Sequence, residues 1–215
     1  MVMSVLRGEH VRFRCLVASA AWALVIAIAA PAAAQQVLGQ RLDLGASVVA
    51  SHSGEFDAND VGVGGRFSWR LTPLVGAEAE FTVFPNDFPS GRAFSQSRVE
   101  GLFGVTVGPT FGRLRPFARL RPGFLKMNEA AQPIACILIF PPPLSCSLAS
   151  GRTLPAVDIG GGLEYSLTRA IVARVDAGDR AVRYPGQVFD TQFVAHDQPF
   201  FAHELRIAAG AGVRF

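Results

Sequence analysis

The sequence predicts an all-β fold, namely an eight-stranded antiparallel up-and-down transmembrane β-barrel. Three observations predict it. From Val37 onward, segments of about ten residues carry apolar side chains at every second position, which is the period of a strand with two different faces. The connections between these segments alternate between short turns and long loops. The face opposite the apolar one carries charges of both signs in near balance.

Residues 1–34 have the organisation of a secretory signal peptide. A basic segment with three arginines precedes an apolar stretch from Cys15 to Ala30, and small residues follow it. We expect cleavage after Ala34, so that residues 35–215 form the mature barrel domain. A membrane-anchoring helix is the alternative. It is disfavoured because the apolar stretch is shorter than the roughly 20 residues of a span and its Ala-rich exit contains no stop-transfer basic residues.

The mature chain is nearly neutral. The whole sequence has 20 Lys and Arg against 17 Asp and Glu, and the signal segment contains three of the former and one of the latter. The remaining net charge of +1 gives no reason to expect a nucleic-acid partner. No apolar run after Ala34 approaches the roughly 20 residues of a transmembrane helix. Two cysteines remain, Cys136 and Cys146, and an even count in an exported chain predicts a disulfide between them.

Eight alternating segments predict eight strands, and no segment shows convincing helical periodicity. The predicted strands are 37–50, 61–71, 74–84, 97–107, 115–125, 154–166, 170–180 and 203–215. Short turns follow the second, fourth and sixth strands, whereas long loops span 51–60, 85–96, 126–153 and 181–202. Outer-membrane barrels have short periplasmic turns and long extracellular loops. The even strand number returns both chain ends to the periplasmic side.

Alternation alone does not say which face is inside. A soluble lipocalin-like barrel would turn its apolar face inward. The charged face here is also rich in glycine, which suits a narrow lumen, and its charges nearly cancel, which suits mutual pairing in a closed space. We therefore place the apolar face against lipid. The predicted lumen charges are Arg41, Asp43, Arg66, Arg70, Glu78, Glu80, Arg98, Glu100, Arg119, Arg121, Asp158, Glu164, Arg174, Asp176, Glu204, Arg206 and Arg214. Among them, Glu100 is expected to pair with Arg119 or Arg121 across the turn between strands four and five.

The last strand carries a short motif of its own. Gly210, Val213 and the terminal Phe215 resemble the C-terminal β-signal of bacterial outer-membrane proteins, although Ala208 stands where a polar residue is usual. Segments 115–124 and 160–165 are similar to strands of the small outer membrane protein beta-barrel domain family, which resembles the eight-stranded transmembrane domain of outer membrane protein A. The resemblance covers residues 37–215. It implies insertion by the barrel-assembly machinery, and no cell-wall tethering, because no peptidoglycan-binding domain follows the barrel.

Other candidate sites are weaker. A lipid A-modifying enzyme needs a base and a nucleophile in contact, but His52 is adjacent to Ser51 and Ser53, and adjacent strand residues point to opposite faces. His203, next to Glu204, has the same difficulty. An oxygen-rich loop could hold calcium through Glu55, Asp57, Asn59 and Asp60, although a solvated acidic loop is the simpler interpretation. We therefore predict no catalytic, cofactor or metal site.

The loop 126–153 is apolar and rich in proline between its two cysteines. It could bind a partner, or it could fold back onto the barrel mouth, and the sequence leaves both open. We expect a monomeric outer-membrane barrel in contact with lipid, with a structural or surface-interaction role carried by its extracellular loops. The alternative is a narrow porin-like channel for small solutes or ions. A charged ladder inside eight strands would fill such a channel.

Overall fold

The computed structural model describes residues 42–88, 96–129, 143–185, 188–189, 195–196 and 198–215. The predicted signal peptide, Arg41 and Cys136 lie outside them. Ten strands and one short helix, α1 (Leu144–Ala149), are present in the described residues. The strands are β1 (Leu42–Ser53), β2 (Ala58–Arg70), β3 (Val75–Phe88), β4 (Gln96–Val107), β5 (Leu114–Glu129), β6 (Ser150–Ser166), β7 (Ile171–Tyr184), β8 (Val188–Phe189), β9 (Ala195–His196) and β10 (Phe200–Arg214).

Eight of these strands close into an antiparallel barrel in the order β1-β10-β7-β6-β5-β4-β3-β2. The predicted fold class is therefore confirmed. Strands β8 and β9 form a separate two-residue hairpin. A path of directly paired residues that leaves β1 at Leu42 returns to β1 at His52, ten residues further along. This stagger tilts the strands, and it decides which side chains meet across the lumen.

All eight predicted barrel strands are present, and most extend further than the alternation indicates. We call the two ends of the barrel the turn end and the loop end. At the loop end, β5 continues to Glu129 and β7 to Tyr184. The expectation of no helix is wrong for α1, because six residues are too few for a helical period to show.

Two of the three short turns share one design. The backbone N–H groups of Leu74 and Val75 donate to the Thr72 hydroxyl at 3.3 and 2.9 Å. In the same way, Ala170 and Ile171 donate to Thr168 at 3.2 and 2.9 Å. A threonine hydroxyl thus receives N–H groups that would otherwise be unpaired, which fixes a tight reversal of the chain.

The outer face of the barrel is apolar. Side chains such as Val63, Phe81, Phe103 and Ile159 are about half exposed on it, and they alternate with buried charged residues. Trp69 and Tyr165 lie on this face near the turn end. Aromatic side chains at that level are typical of the membrane–water boundary of a barrel.

Candidate functional site

The lumen contains the predicted charges of the described strands. Most of these side chains are buried, whereas Arg70 and Arg214 at the turn end keep 22% and 10% of their side-chain surface exposed. The buried ones are Asp43, Arg66, Glu78, Glu80, Arg98, Glu100, Arg119, Arg121, Asp158, Glu164, Arg174, Asp176, Glu204 and Arg206. Three further charged residues that the prediction missed, Asp60, Arg115 and Arg180, are buried in the same lumen.

Each missed residue lies an even number of positions from a predicted lumen residue on the same strand, so the alternation of the strand indicates that it points inward. Asp60 was assigned to a loop, but β2 begins at Ala58 and points Asp60 inward. Arg115 and Arg180 lie an even number of residues from Arg119 and Asp176 on their strands. Extending the second strand by its alternation would have found Asp60, and alternation within the predicted strands 115–125 and 170–180 already pointed Arg115 and Arg180 inward.

Near the loop end, two arginines hold three carboxylates together. The Arg98 guanidinium donates to Asp60 at 2.9 Å and to Glu204 at 3.4 Å. Arg180 donates to both Glu100 and Glu204. The ring of Phe84 lies beside both guanidinium groups, with its centroid 5.0 Å from the Arg98 Cζ atom. Arginine suits such a site because its five donors are fixed in a plane and it stacks on aromatic faces.

The middle of the lumen is centred on Arg121. Its Nη1 donates to Glu78 at 2.8 Å and to Glu80 at 2.6 Å, and its Nη2 donates to Asp158 at 2.8 Å. Arg119 donates to Asp158 at 2.8 Å and also to Asp176. Buried charges are tolerated only when they are paired in this way, because an isolated charge loses its hydration without compensation.

The expected pairing of Glu100 with Arg119 or Arg121 is wrong. Glu100 instead contacts Arg180 and Arg206, which lie on β7 and β10. Glu100 is directly opposite Leu125 on β5, whereas Arg119 is opposite Thr106, six residues away. Although β4 and β5 are joined by a short turn, Glu100 and Arg119 therefore lie at different levels of the lumen.

Glycine on the inner face makes room for these side chains. A Cβ atom on Gly178 would lie 3.2 Å from the Arg119 Nη2 atom and 2.6 Å from the Ile159 carbonyl oxygen. A Cβ on its strand partner Gly160 would lie 2.3 Å from the Ala177 carbonyl oxygen. Larger side chains at this level would displace either the backbone or the arginine.

An apolar cluster closes the loop end of the lumen above the charges. Leu144 and Leu148 of α1 are buried there against Leu125, Leu154 and Val182 of the barrel wall. The Tyr184 ring belongs to the same cluster and stacks on Phe200 at a centroid distance of 5.2 Å. Of the two alternatives for loop 126–153, folding back onto the mouth describes its final part. Cys146 lies in α1, and its predicted disulfide stays a prediction because Cys136 is outside the described residues.

The residues weighed for catalysis and calcium do not converge. His52 faces outward and bonds to Asn59 at 3.0 Å, while Ser51 and Ser53 are buried inside. Asp60 is held inside the lumen by Arg98. One unpredicted contact joins His203 Nδ1 to the Asp179 carboxylate at 2.6 Å, on the outward face.

The residues of the predicted assembly motif lie on the seam where the barrel closes. Gly210 pairs with Ser47 and Val213 with Leu44 on β1. The Phe215 N–H donates to the Leu42 carbonyl at 2.8 Å. Their suggested recognition by the assembly machinery stays a prediction.

Comparisons with known proteins identify the fold. No protein-family model matches the chain, and no curated protein matches it. The crystal structure of neisserial surface protein A has 12% identity and a TM-score of 0.54, and the match covers 82% of this chain and 97% of that one. Ail, the attachment invasion locus protein of Yersinia pestis, has 13% identity, a TM-score of 0.49 and coverages of 83% and 100%. The N-terminal β-barrel domain of Pseudomonas aeruginosa OprF has 12% identity and a TM-score of 0.47, and the match covers 82% of this chain and 99% of that one.

At 12% identity, the likeness to neisserial surface protein A is one of fold. The apolar outer face and the charged interior add a physical reason for a lipid environment, because only lipid makes this orientation stable. Within the described residues, no helix is long and apolar enough to cross a membrane. The chain has the eight-stranded β-barrel fold of bacterial outer-membrane proteins, and its apolar outer face suits it to contact with lipid.

Proposed function

We propose that this barrel is a closed scaffold that presents its extracellular end for interaction with molecules outside the cell. The observation that carries the proposal is the filled lumen. Buried ion pairs occupy its middle, and the apolar cluster with α1 covers its mouth at the loop end, which we place outside the cell. A barrel whose interior is filled in this way offers its rim and loops as the remaining accessible surface.

A narrow channel is the second candidate, and the same contacts argue against it. A permeating ion would have to pass Arg121, which is held by three carboxylates, and then the side chains of Leu144 and Leu148. Opening that path would break several buried ion pairs at once. Loss of one partner from a buried pair costs about 3–5 kcal/mol, so such opening would be rare.

We also propose that the protein is not a lipid A-modifying enzyme. His203 contacts Asp179 on the outward face, but His52 contacts an asparagine, and the serines beside it point into the lumen. Mass spectrometry of lipid A from overexpressing cells tests this directly. An unchanged lipid A mass is expected, whereas a new acylated, deacylated or otherwise altered species would contradict the proposal.

The surface role is tested with the whole refolded barrel and a defined panel of probes. Wild-type protein in detergent is applied to immobilised host-surface glycans and extracellular-matrix proteins. Its matched control replaces residues 130–142 with a Gly/Ser segment of equal length. We expect binding to at least one probe that falls at least tenfold in the control. Absence of binding throughout the panel, or equal binding by both proteins, would contradict a surface role for this loop.

A further inference from the structure

Most ion pairs at the turn end of the lumen are longer than those around Arg121 in its middle. A small cavity, with room for about one water molecule, lies there between the strands. The residues used below, which we call the vestibule, are Asp43, Ser68, Arg70, Thr106, Arg115 and Glu164, and all of them line this cavity.

The two carboxylates of the vestibule are shared among three arginines. A single oxygen of Glu164 lies 3.4 Å from Arg115, 3.8 Å from Arg70 and 3.7 Å from Arg214. Asp43 is held closely by Arg214 at 2.7 Å, and it lies 3.9 Å from Arg70. Both of these Arg70 distances exceed a hydrogen bond. In the middle of the lumen, by contrast, Arg121 meets its three carboxylates at 2.6–2.8 Å.

Donors in the vestibule are also left over. Arg115 uses Nε on the Gly108 carbonyl and Nη1 on Glu164, while its buried Nη2 has no hydrogen-bond partner among the described residues. Only 7% of the Arg115 side-chain surface is exposed. A buried guanidinium nitrogen without an acceptor is costly, so an acceptor of suitable size would stabilise it.

The surroundings favour an anion as that acceptor. Three arginines, Arg70, Arg115 and Arg214, face two carboxylates at this level. The three periplasmic turns, 71–74, 108–113 and 167–170, add Arg113 and Arg169 and contain no acidic residue. The combined field at this mouth is positive and attracts anions from the periplasm.

We propose that the vestibule binds a single small anion of the size of chloride. A chloride ion is larger than the water molecule for which the cavity has room, so its entry requires the partly exposed Arg70 side chain to shift outward. Chloride accepts hydrogen bonds without a preferred direction. Arg115 and Arg70 supply the charge, and the Thr106 hydroxyl supplies a further donor. The Ser68 hydroxyl donates to Glu78 at 3.4 Å and is not counted. The filled lumen above the vestibule makes this a binding site and not a conduction path, and the inference does not depend on the proposed surface role.

The test follows the urea unfolding midpoint of the refolded mature barrel in detergent. Sodium gluconate is replaced stepwise by sodium chloride at constant ionic strength, which keeps general screening fixed. A ligand that binds only the folded state raises stability with its concentration. We expect the wild-type midpoint to rise with chloride until the site is saturated, and bromide to act like chloride.

Two variants assign the effect to the vestibule. Arg115→Gln and Arg70→Gln are expected to lose the chloride-dependent rise, and the outward-facing Arg183→Gln is expected to retain it. Heat-modifiable gel migration checks folding. If Arg115→Gln does not refold, Arg70→Gln decides, because the partly exposed Arg70 makes no close ion pair. Equal wild-type midpoints in chloride and gluconate, or an undiminished rise in a folded vestibule variant, would overturn the proposal.

Discussion

At the scale of single residues, the sequence predicts which way a side chain points better than it predicts the ion-pair partner of that side chain. Alternation assigns Glu78, Arg98 and Arg121 to the interior correctly because a strand has only two faces. It does not assign their partners, which depend on a stagger of ten residues around the closed barrel. Glu100 illustrates the difference. Its side chain points inward as predicted, but it contacts Arg180 of β7 and Arg206 of β10, which lie across the lumen from β4.

The Glu100–Arg180 contact predicts strong coupling between these residues. Glu100→Gln and Arg180→Met are each expected to lower the free energy of unfolding by about 3–5 kcal/mol, because each removes one partner from a buried ion-pair network and leaves its charges unbalanced. The double variant should lose much less than their sum. Urea midpoints in detergent measure the cycle. The matched control pairs Glu100→Gln with Arg119→Met, and a clearly smaller coupling is expected there, because Arg119 pairs with Asp158 and Asp176 and reaches Glu100 only through other residues. Coupling in the control but not in the Glu100–Arg180 cycle would contradict the observed pairing.

Asp179 is a charged residue on the lipid-facing side. It points outward between its strand partners Ile159 and Leu205, and its visible partner is His203. A carboxylate on this face is unfavourable, although less so than the roughly 2–4 kcal/mol given for a basic residue at the midplane. Asp179→Val is therefore expected to raise the urea midpoint. His203→Ala, which removes the partner and keeps the carboxylate, should lower it. A lower midpoint for Asp179→Val would show that the carboxylate stabilises the barrel.

At the scale of elements, long strands are predictable and short insertions are not. Eight alternating segments of about ten residues leave little freedom in a barrel. The helix α1 has six residues and follows three prolines, so no periodic signal announces it. Its position is set by tertiary packing, since Leu144 and Leu148 fill the mouth that the longer ends of β5, β6 and β7 create.

The packing of α1 predicts its contribution to stability. Leu148→Ala is expected to lower the free energy of unfolding by about 2–5 kcal/mol, the usual cost of truncating a buried leucine. Ser147→Ala on the same helix is the control and should change it by less than about 0.5 kcal/mol. Equal urea midpoints for Leu148→Ala and the wild type would mean that α1 does not pack in the mouth.

The end of the C-terminal strand is predicted to affect assembly of the barrel more than its stability. Deleting Phe215 should reduce the amount of barrel in the outer membrane much more than it reduces the stability of protein that has already folded. One rim side chain contributes only about 1.5–3 kcal/mol of burial, whereas the resemblance gives it a role in assembly. Quantitative immunoblots of membrane fractions, beside urea midpoints of refolded protein, compare the two effects. Equal membrane levels of truncated and full-length protein would contradict the assembly role.

At the scale of the whole molecule, contact with lipid explains both the apolar exterior and the charged interior of the barrel. Eight strands enclose an interior that side chains just fill. With lipid outside, charged residues must turn inward, and there they are stable only when paired. This reasoning predicts the orientation of every strand from the sequence. It does not predict where pairing fails, and the incompletely paired arginines of the vestibule became apparent only from distances.

The central claim is that the lumen is closed, and single-channel recording in planar bilayers tests it most directly. Refolded wild-type barrel is inserted at high salt and low voltage, and its insertion is verified by heat-modifiable migration of protein recovered from the same preparation. The ion pairs around Arg121 and the apolar cluster around Leu144 and Leu148 predict a current indistinguishable from that of the protein-free bilayer. A steady open channel of uniform conductance in every insertion would contradict the account.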